Sequence, residues 1–225
     1  MIAVVHDEAR RAAGIYRDTM LRVSGLLNGA DASVWRHPVA ACPGWCVRDV
    51  VAHMTAVARD WADGLLAGPP TDEATAEHIR RFDDRDENGL LELWSQATAR
   101  LHRLAATTGL EPPLGDIACH EHDIRSAIGR PGARDAQSVS WTSDRLLALL
   151  RPPVPLCVMV EDRRYCTGPT GNGEIHLRTT RFEAIRWRTG RRSRAQLAAM
   201  DWSTDPTPVL GHLYLFGPAT ADVIE

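Results

Sequence analysis

No lysine occurs anywhere in the 225 residues, so all 26 basic side chains are arginine. We read this as the mark of a GC-rich genome and not of a function. Long apolar runs are also missing, and nothing approaches the roughly 20 apolar residues of a membrane span. The opening MIAVVHDEARRAAG carries charge too early for a secretory signal, and a cytoplasmic location is expected. Cysteine is sparse and odd in number, at positions 42, 46, 119, 157 and 166. That pattern suggests no disulfide framework, and five reduced thiols are the simpler reading. CPGWC has the spacing CxxxC, not the CxxC of redox or zinc-ribbon sites, so Cys42 and Cys46 are expected to be structural. Acidic residues number 29 against those 26 arginines, for a net charge of −3, which leaves no basic field for nucleic acid. Neither internal repeats nor low-complexity tracts are present.

What remains is ordinary globular composition, arranged in two styles. Up to about residue 150 the chain reads as helices. Residues 2–28 carry apolar positions at helical spacing, among them Tyr16, Met20, Val23 and Leu27. CPGW makes a turn before a helix from Val47 to about Leu66, which GPP ends. The polar stretch TDEATAEHIRRFDDRDENG suggests a short helix and a loop. Further helices are predicted over 90–107, 113–129 and 141–151, the second stopped by Gly129-Arg130-Pro131. Beyond that, PLCVMVE and EIHLRTT show strand character around the turn-rich TGPTGNG. RFEAIRWRTGRRSRAQLAAM reads as one or two short helices, and GHLYLF as a last strand. The expected organisation is an α-helical bundle over 1–150 and a small α/β domain over 151–225.

Three carboxylates and two histidines crowd Asp116–Asp123 in GDIACHEHDIRSAIGRPG. On an ideal helix Asp116 and His120 lie only about 40° apart, on the arc shared by Ile117, Ile124 and Ile128. Glu121, His122 and Arg125 fall on the other side and are expected to be solvated. An acid and an imidazole on an inward face must be paired or must hold a metal. From this helix alone, an Asp116–His120 hydrogen bond and a half-built metal site both stand. His53, on the helix that begins at Val47, also turns toward the interior, beside Asp49 and Asp60. Satisfaction of His53 by Asp49 is one reading. The other is a three-ligand set of His53, Asp116 and His120, which suits Zn²⁺ or a similar divalent ion and leaves a position open. Asp123 is a candidate to orient a ligand histidine, or else a surface acid paired with arginine.

ACPGWCVRDVVAHMTAV, DIACHEHDIRSAIGRP and TGRRSRAQLAAMDWSTDP together resemble three segments of the mycothiol-dependent maleylpyruvate isomerase family, within the broader DinB-like group of thiol-dependent metalloenzymes. The resemblance spans most of the chain. It implies a DinB-like four-helix bundle followed by a small sterol-carrier-like α/β domain, with His53, Asp116 and His120 as metal ligands. One departure stands out: the family's usual glutamate is Asp116 here, which draws the carboxylate back by about 1.5 Å, one C–C bond. The resemblance further implies zinc as cofactor, mycothiol as cosubstrate, a small electrophile as substrate, and an assisting arginine from the second domain. Arg191 and Arg192 are the candidates, since guanidinium pairs with carboxylates in a bidentate way, although a solvated basic helix end reads equally well. Cis–trans isomerisation and S-transfer are the expected reactions, in a monomer or homodimer without nucleic-acid or membrane partners. The alternative is a non-catalytic metal- or ligand-binding member of the same fold.

Overall fold

The computed structural model describes residues 2–170 and 173–225, with side chains from residue 6 onward. The middle of the TGPTGNG turn lies outside the described residues. The chain divides into two compact units, Met1–Gly132 and Ala133–Glu225. The boundary therefore falls earlier than the expected 150. The physical reason is the helix Gln137–Ala148, whose Leu147 joins the apolar core of the second unit together with Leu150.

The first unit contains α1 (Ile2–Leu27), α2 (Ala32–Trp35), α3 (Val47–Ala62), α4 (Asp72–Arg80), α5 (Glu87–Thr108) and α6 (Leu114–Ala127). Local signals set several of the ends. Thr71 caps α4 by accepting from the Ala74 N–H, and Asp86 caps α5 by accepting from the Gly89 N–H at 2.8 Å. Gly109 closes α5 in the left-handed conformation, with φ 75°. α1 packs on α5 and α6, while α3 packs on α4, α5 and α6. Between them lie Tyr16, Val23, Val51, Met54, Leu90, Trp94, Ile117 and Ile124, all buried. The Trp94 indole N–H donates to the Tyr16 hydroxyl at 3.3 Å, so even this bulky pair leaves no buried polar atom unserved.

α6 departs from the amphipathic expectation. Every residue from Ile117 to Ile124 is buried, including Glu121 and His122, which the helical wheel placed in solvent. The wheel assumes one wet face, yet within its own unit α6 already has α1 on one side and α3 on another. Burying Glu121 requires compensation, and Arg22 of α1 supplies it as a fork, donating from Nε at 2.9 Å and Nη2 at 2.7 Å. Arg125, also expected outside, folds back along α6 and donates to Glu121 at 3.1 Å.

The second unit contains α7 (Gln137–Ala148), β1 (Leu156–Met159), β2 (Arg164–Thr167), β3 (Ile175–Arg178), α8 (Arg181–Arg188), α9 (Arg194–Ala198), β4 (Asp201–Trp202) and α10 (Thr207–Leu210). Its sheet has the order β2-β1-β3-β4, with β1 and β3 parallel and the outer pairings antiparallel. Leu156, Val158, Ile175 and Leu177 face the core, which Trp187 and Leu197 complete. The expected strand in GHLYLF does not form; that segment is irregular, and the edge strand is β4. β2 was missed because RYCT is short and mostly polar. It places Cys166 directly opposite Cys157, and the two form a disulfide, which corrects the expectation of reduced thiols throughout. Cys42, Cys46 and Cys119 carry thiols that take no part in a disulfide among the described residues. Arg188 is buried and donates to the Leu146 and Leu213 carbonyls, and burial pulls its pKa down to about 10.

Replacing Arg22 with Met would leave the fully buried Glu121 with Arg125 as its nearest cation. Removing one partner of a buried ion pair is strongly destabilising, and a loss of about 3 kcal/mol is expected in urea unfolding followed by helix signal.

Candidate metal centre

α3 and α6 bring His53, Asp116 and His120 together. Asp116 and His120 share a face of α6 at i and i+4, and His53 meets them from α3. The Nε2 of His53 lies 3.2 Å from Asp116 Oδ1, and the Nε2 of His120 lies 3.5 Å from the same oxygen. Both imidazoles are buried, while the Asp116 side chain keeps 18% of its surface exposed, so the cluster sits inside the helices with one rim toward solvent. Asp49 does not serve His53; it accepts the Cys46 backbone N–H at 2.8 Å and caps the start of α3.

The far side of each ring is also engaged. His120 Nδ1 lies 2.9 Å from Asp123 Oδ2. A carboxylate accepts, so Nδ1 carries a hydrogen, and Nε2 is turned toward Asp116. Cys42 donates its S–H to the same Asp123 oxygen, at 3.6 Å. Behind His53 stands His78 of α4, with the two Nδ1 atoms 3.4 Å apart. His78 Nε2 is 3.2 Å from Asp60, which also accepts from Arg81 at 2.7 Å. Burial first, and the neighbouring His53 second, push the His78 pKa below the ordinary histidine value. His78 escaped the sequence reading because TDEATAEHIRR has no pattern that singles it out; only the packing of α4 on α3 delivers it.

The CPGW segment is a tight turn in which Trp45 N–H donates to the Cys42 carbonyl and Gly44 takes φ 85°, a conformation glycine adopts without strain. This turn sets the Trp45 ring against His53 and His120, at centroid distances of 5.2 and 6.4 Å. A cleft of about 520 Å³ borders it, lined by Arg36, Val39, Pro43, Trp45, Cys46 and Asp49.

Arg191 and Arg192 belong to the second unit. Arg192 is buried and held by Glu183, at 2.8 and 2.7 Å, and by Glu225 at 2.9 Å. Arg191 donates to the Thr189 carbonyl at 2.7 Å. Arg192 is thus neutralised inside its own unit, a role that a basic run in sequence does not reveal.

Ligand atoms of His53, Asp116 and His120 lie within 4.8 Å of one another. Two imidazoles and one carboxylate are the donor types of a catalytic zinc site that keeps a position open, so the residues fit a divalent ion. Fold and site together define a helical protein with a candidate His/Asp/His metal centre, joined to a small α/β unit. The chain belongs to the family described as "Mycothiol maleylpyruvate isomerase N-terminal domain", which matches residues 16–128. Two crystal structures share its fold: the mycothiol-dependent maleylpyruvate isomerase and a histidine-to-alanine mutant of it. Each is 17% identical, with a TM-score of 0.55 over 89% of this chain and 93% of the solved one. No curated protein matches the chain by sequence.

Burial and the Asp49 carboxylate push the Cys46 thiol up. The thiolate is the nucleophile, so Cys46 should alkylate more slowly than free cysteine at pH 8 and gain reactivity only in more alkaline solution. Iodoacetamide labelling mapped by mass spectrometry measures this.

Proposed function

We propose that this chain is a divalent-metal enzyme, with zinc held by His53, Asp116 and His120, that uses mycothiol as cosubstrate. It acts on a small electrophile, as a maleylpyruvate-isomerase-like cis–trans isomerase or as an S-transferase. Family membership supports the thiol and the reaction class. The observation that carries the metal is the meeting of two buried imidazole nitrogens on one carboxylate oxygen, at 3.2 and 3.5 Å. Asp123 accepts from His120 Nδ1 and so turns Nε2 toward Asp116. A cation between those atoms would be bound by both imidazoles and the carboxylate.

A divalent ion in this position supplies Lewis acidity, which favours the thiolate form of a bound thiol. The chain's own residues position and shield. Asp123 orients His120, and Trp45 packs against both histidines. In the isomerase reaction the thiolate adds to the cis double bond, the resulting single bond rotates, and elimination returns the thiol with the trans product. In S-transfer the same thiolate displaces a leaving group and stays bonded to the substrate carbon. We read the first unit as the DinB-like four-helix bundle built on α1, α3, α5 and α6, and the second as the sterol-carrier-like domain.

Protein purified without chelator should carry about one zinc per chain, as a single three-ligand site requires. His53→Ala and His120→Ala should each lose it, by elemental analysis. Maleylpyruvate turnover should need mycothiol and vanish in His53→Ala. Metal-free wild-type protein, or metal content unchanged in His120→Ala, overturns the metal centre. Stoichiometric zinc without any thiol-dependent turnover leaves the non-catalytic, metal-binding reading in its place.

A further inference from the structure

We propose that Arg81, Asp60 and His78 form a positioning relay that fixes the hydrogen of His53 on Nδ1 and so aims its Nε2 lone pair at the metal position. The proposal rests on the metal reading above and adds the residues that decide which face His53 offers. Arg81 donates to Asp60 Oδ1 at 2.7 Å, and a guanidinium has no acceptor, which commits that oxygen. The other carboxylate oxygen, Oδ2, is 3.2 Å from His78 Nε2. It accepts, so His78 carries its hydrogen on Nε2 and its lone pair on Nδ1. That lone pair faces His53 Nδ1 at 3.4 Å, and the hydrogen between the two rings therefore belongs to His53. His53 Nε2 lies 3.2 Å from Asp116 Oδ1, so a cation bound between them takes the Nε2 lone pair and leaves the hydrogen of His53 on Nδ1, where His78 accepts it.

With a cation at Asp116 the polarity runs one way, from a guanidinium that can only donate to a His53 Nε2 whose lone pair faces the cation. His78 is 2% exposed and His53 4%, so bulk water is not at hand to replace either partner. His120 is oriented by a carboxylate in direct contact, whereas His53 is oriented through an intervening imidazole. α4, which carries His78, thereby becomes part of the site although it supplies no candidate ligand.

Asp60→Asn tests the polarity without changing shape. Arg81 would hold the amide oxygen, leaving the amide NH₂ to donate to His78 Nε2. His78 would then carry its hydrogen on Nδ1 and oppose the Nδ1 hydrogen of a zinc-bound His53. In zinc-loaded protein, ¹⁵N spectra of the histidine rings should place the hydrogen of His53 on Nδ1 and that of His78 on Nε2 in wild type, and the His78 hydrogen on Nδ1 in Asp60→Asn. Zn²⁺ affinity, measured by chelator competition, should fall about 10- to 100-fold in Asp60→Asn, the usual cost of losing an outer partner of a ligand histidine. His78→Asn, whose amide oxygen takes the place of Nδ1, should keep the His53 hydrogen on Nδ1 and most of the affinity. A His78 hydrogen on Nδ1 in zinc-loaded wild type, or an Asp60→Asn protein with the wild-type tautomers and zinc affinity, overturns the relay. A wild-type protein that binds no zinc overturns the metal reading and the relay with it.

Discussion

One carboxylate oxygen, Asp116 Oδ1, faces two imidazole nitrogens inside a packed set of helices, and much of the first unit is arranged around that meeting. Polar groups removed from water cost several kcal/mol unless they find partners, so one inward acid draws further polar groups in behind it. Asp123 sits behind His120, and Cys42 sits on Asp123. His78, Asp60 and Arg81 stand behind His53. The partners continue outward until they reach partly exposed side chains, Arg81 at 34% on one side and Cys42 on the other.

How far this was legible in the sequence depended on periodicity. Tyr16, Met20, Val23 and Leu27 lie at helical spacing and are buried on α1 as that spacing requires. The same arithmetic put Asp116 and His120 on one face of α6, and the structure brings both to His53. It failed for Glu121 and His122, because a helix with neighbours on more than one side no longer has the single wet face that a wheel presumes. His78 was out of reach for a different reason. Its partners lie 25 and 18 positions back along the chain, on a different helix, and nothing local in TDEATAEHIRR distinguishes a buried imidazole from an exposed one. In the second unit RYCT is too short and too polar to announce a strand, whereas GHLYLF has apolar character without a sheet partner to hold it. The disulfide followed from the missed strand, since only the β1–β2 register sets Cys157 against Cys166.

The arginines of the second unit carry a related lesson about charge. Read along the chain, TGRRSRAQ is a basic cluster available to an anionic ligand. In the fold, Arg192 is committed to Glu183 and Glu225, and Arg186 also pairs with Glu225. Arg188 is spent on main-chain carbonyls. With every cation an arginine, the unit gains planar, multiply donating groups suited to such interior roles, and a run of positive charge in sequence measures internal cross-linking as much as ligand affinity.

The division of the chain after Gly132 has an evolutionary side. His53, Asp116, His120, Asp123, Cys42, His78, Asp60 and Arg81 all precede that junction. A recombination event there would transmit the histidine cluster and its supporting partners as one inheritance, complete in itself. Whatever is fused downstream can then be exchanged or diverge without any of these residues being lost. In this architecture the candidate metal centre and the residues that support it are heritable as one module.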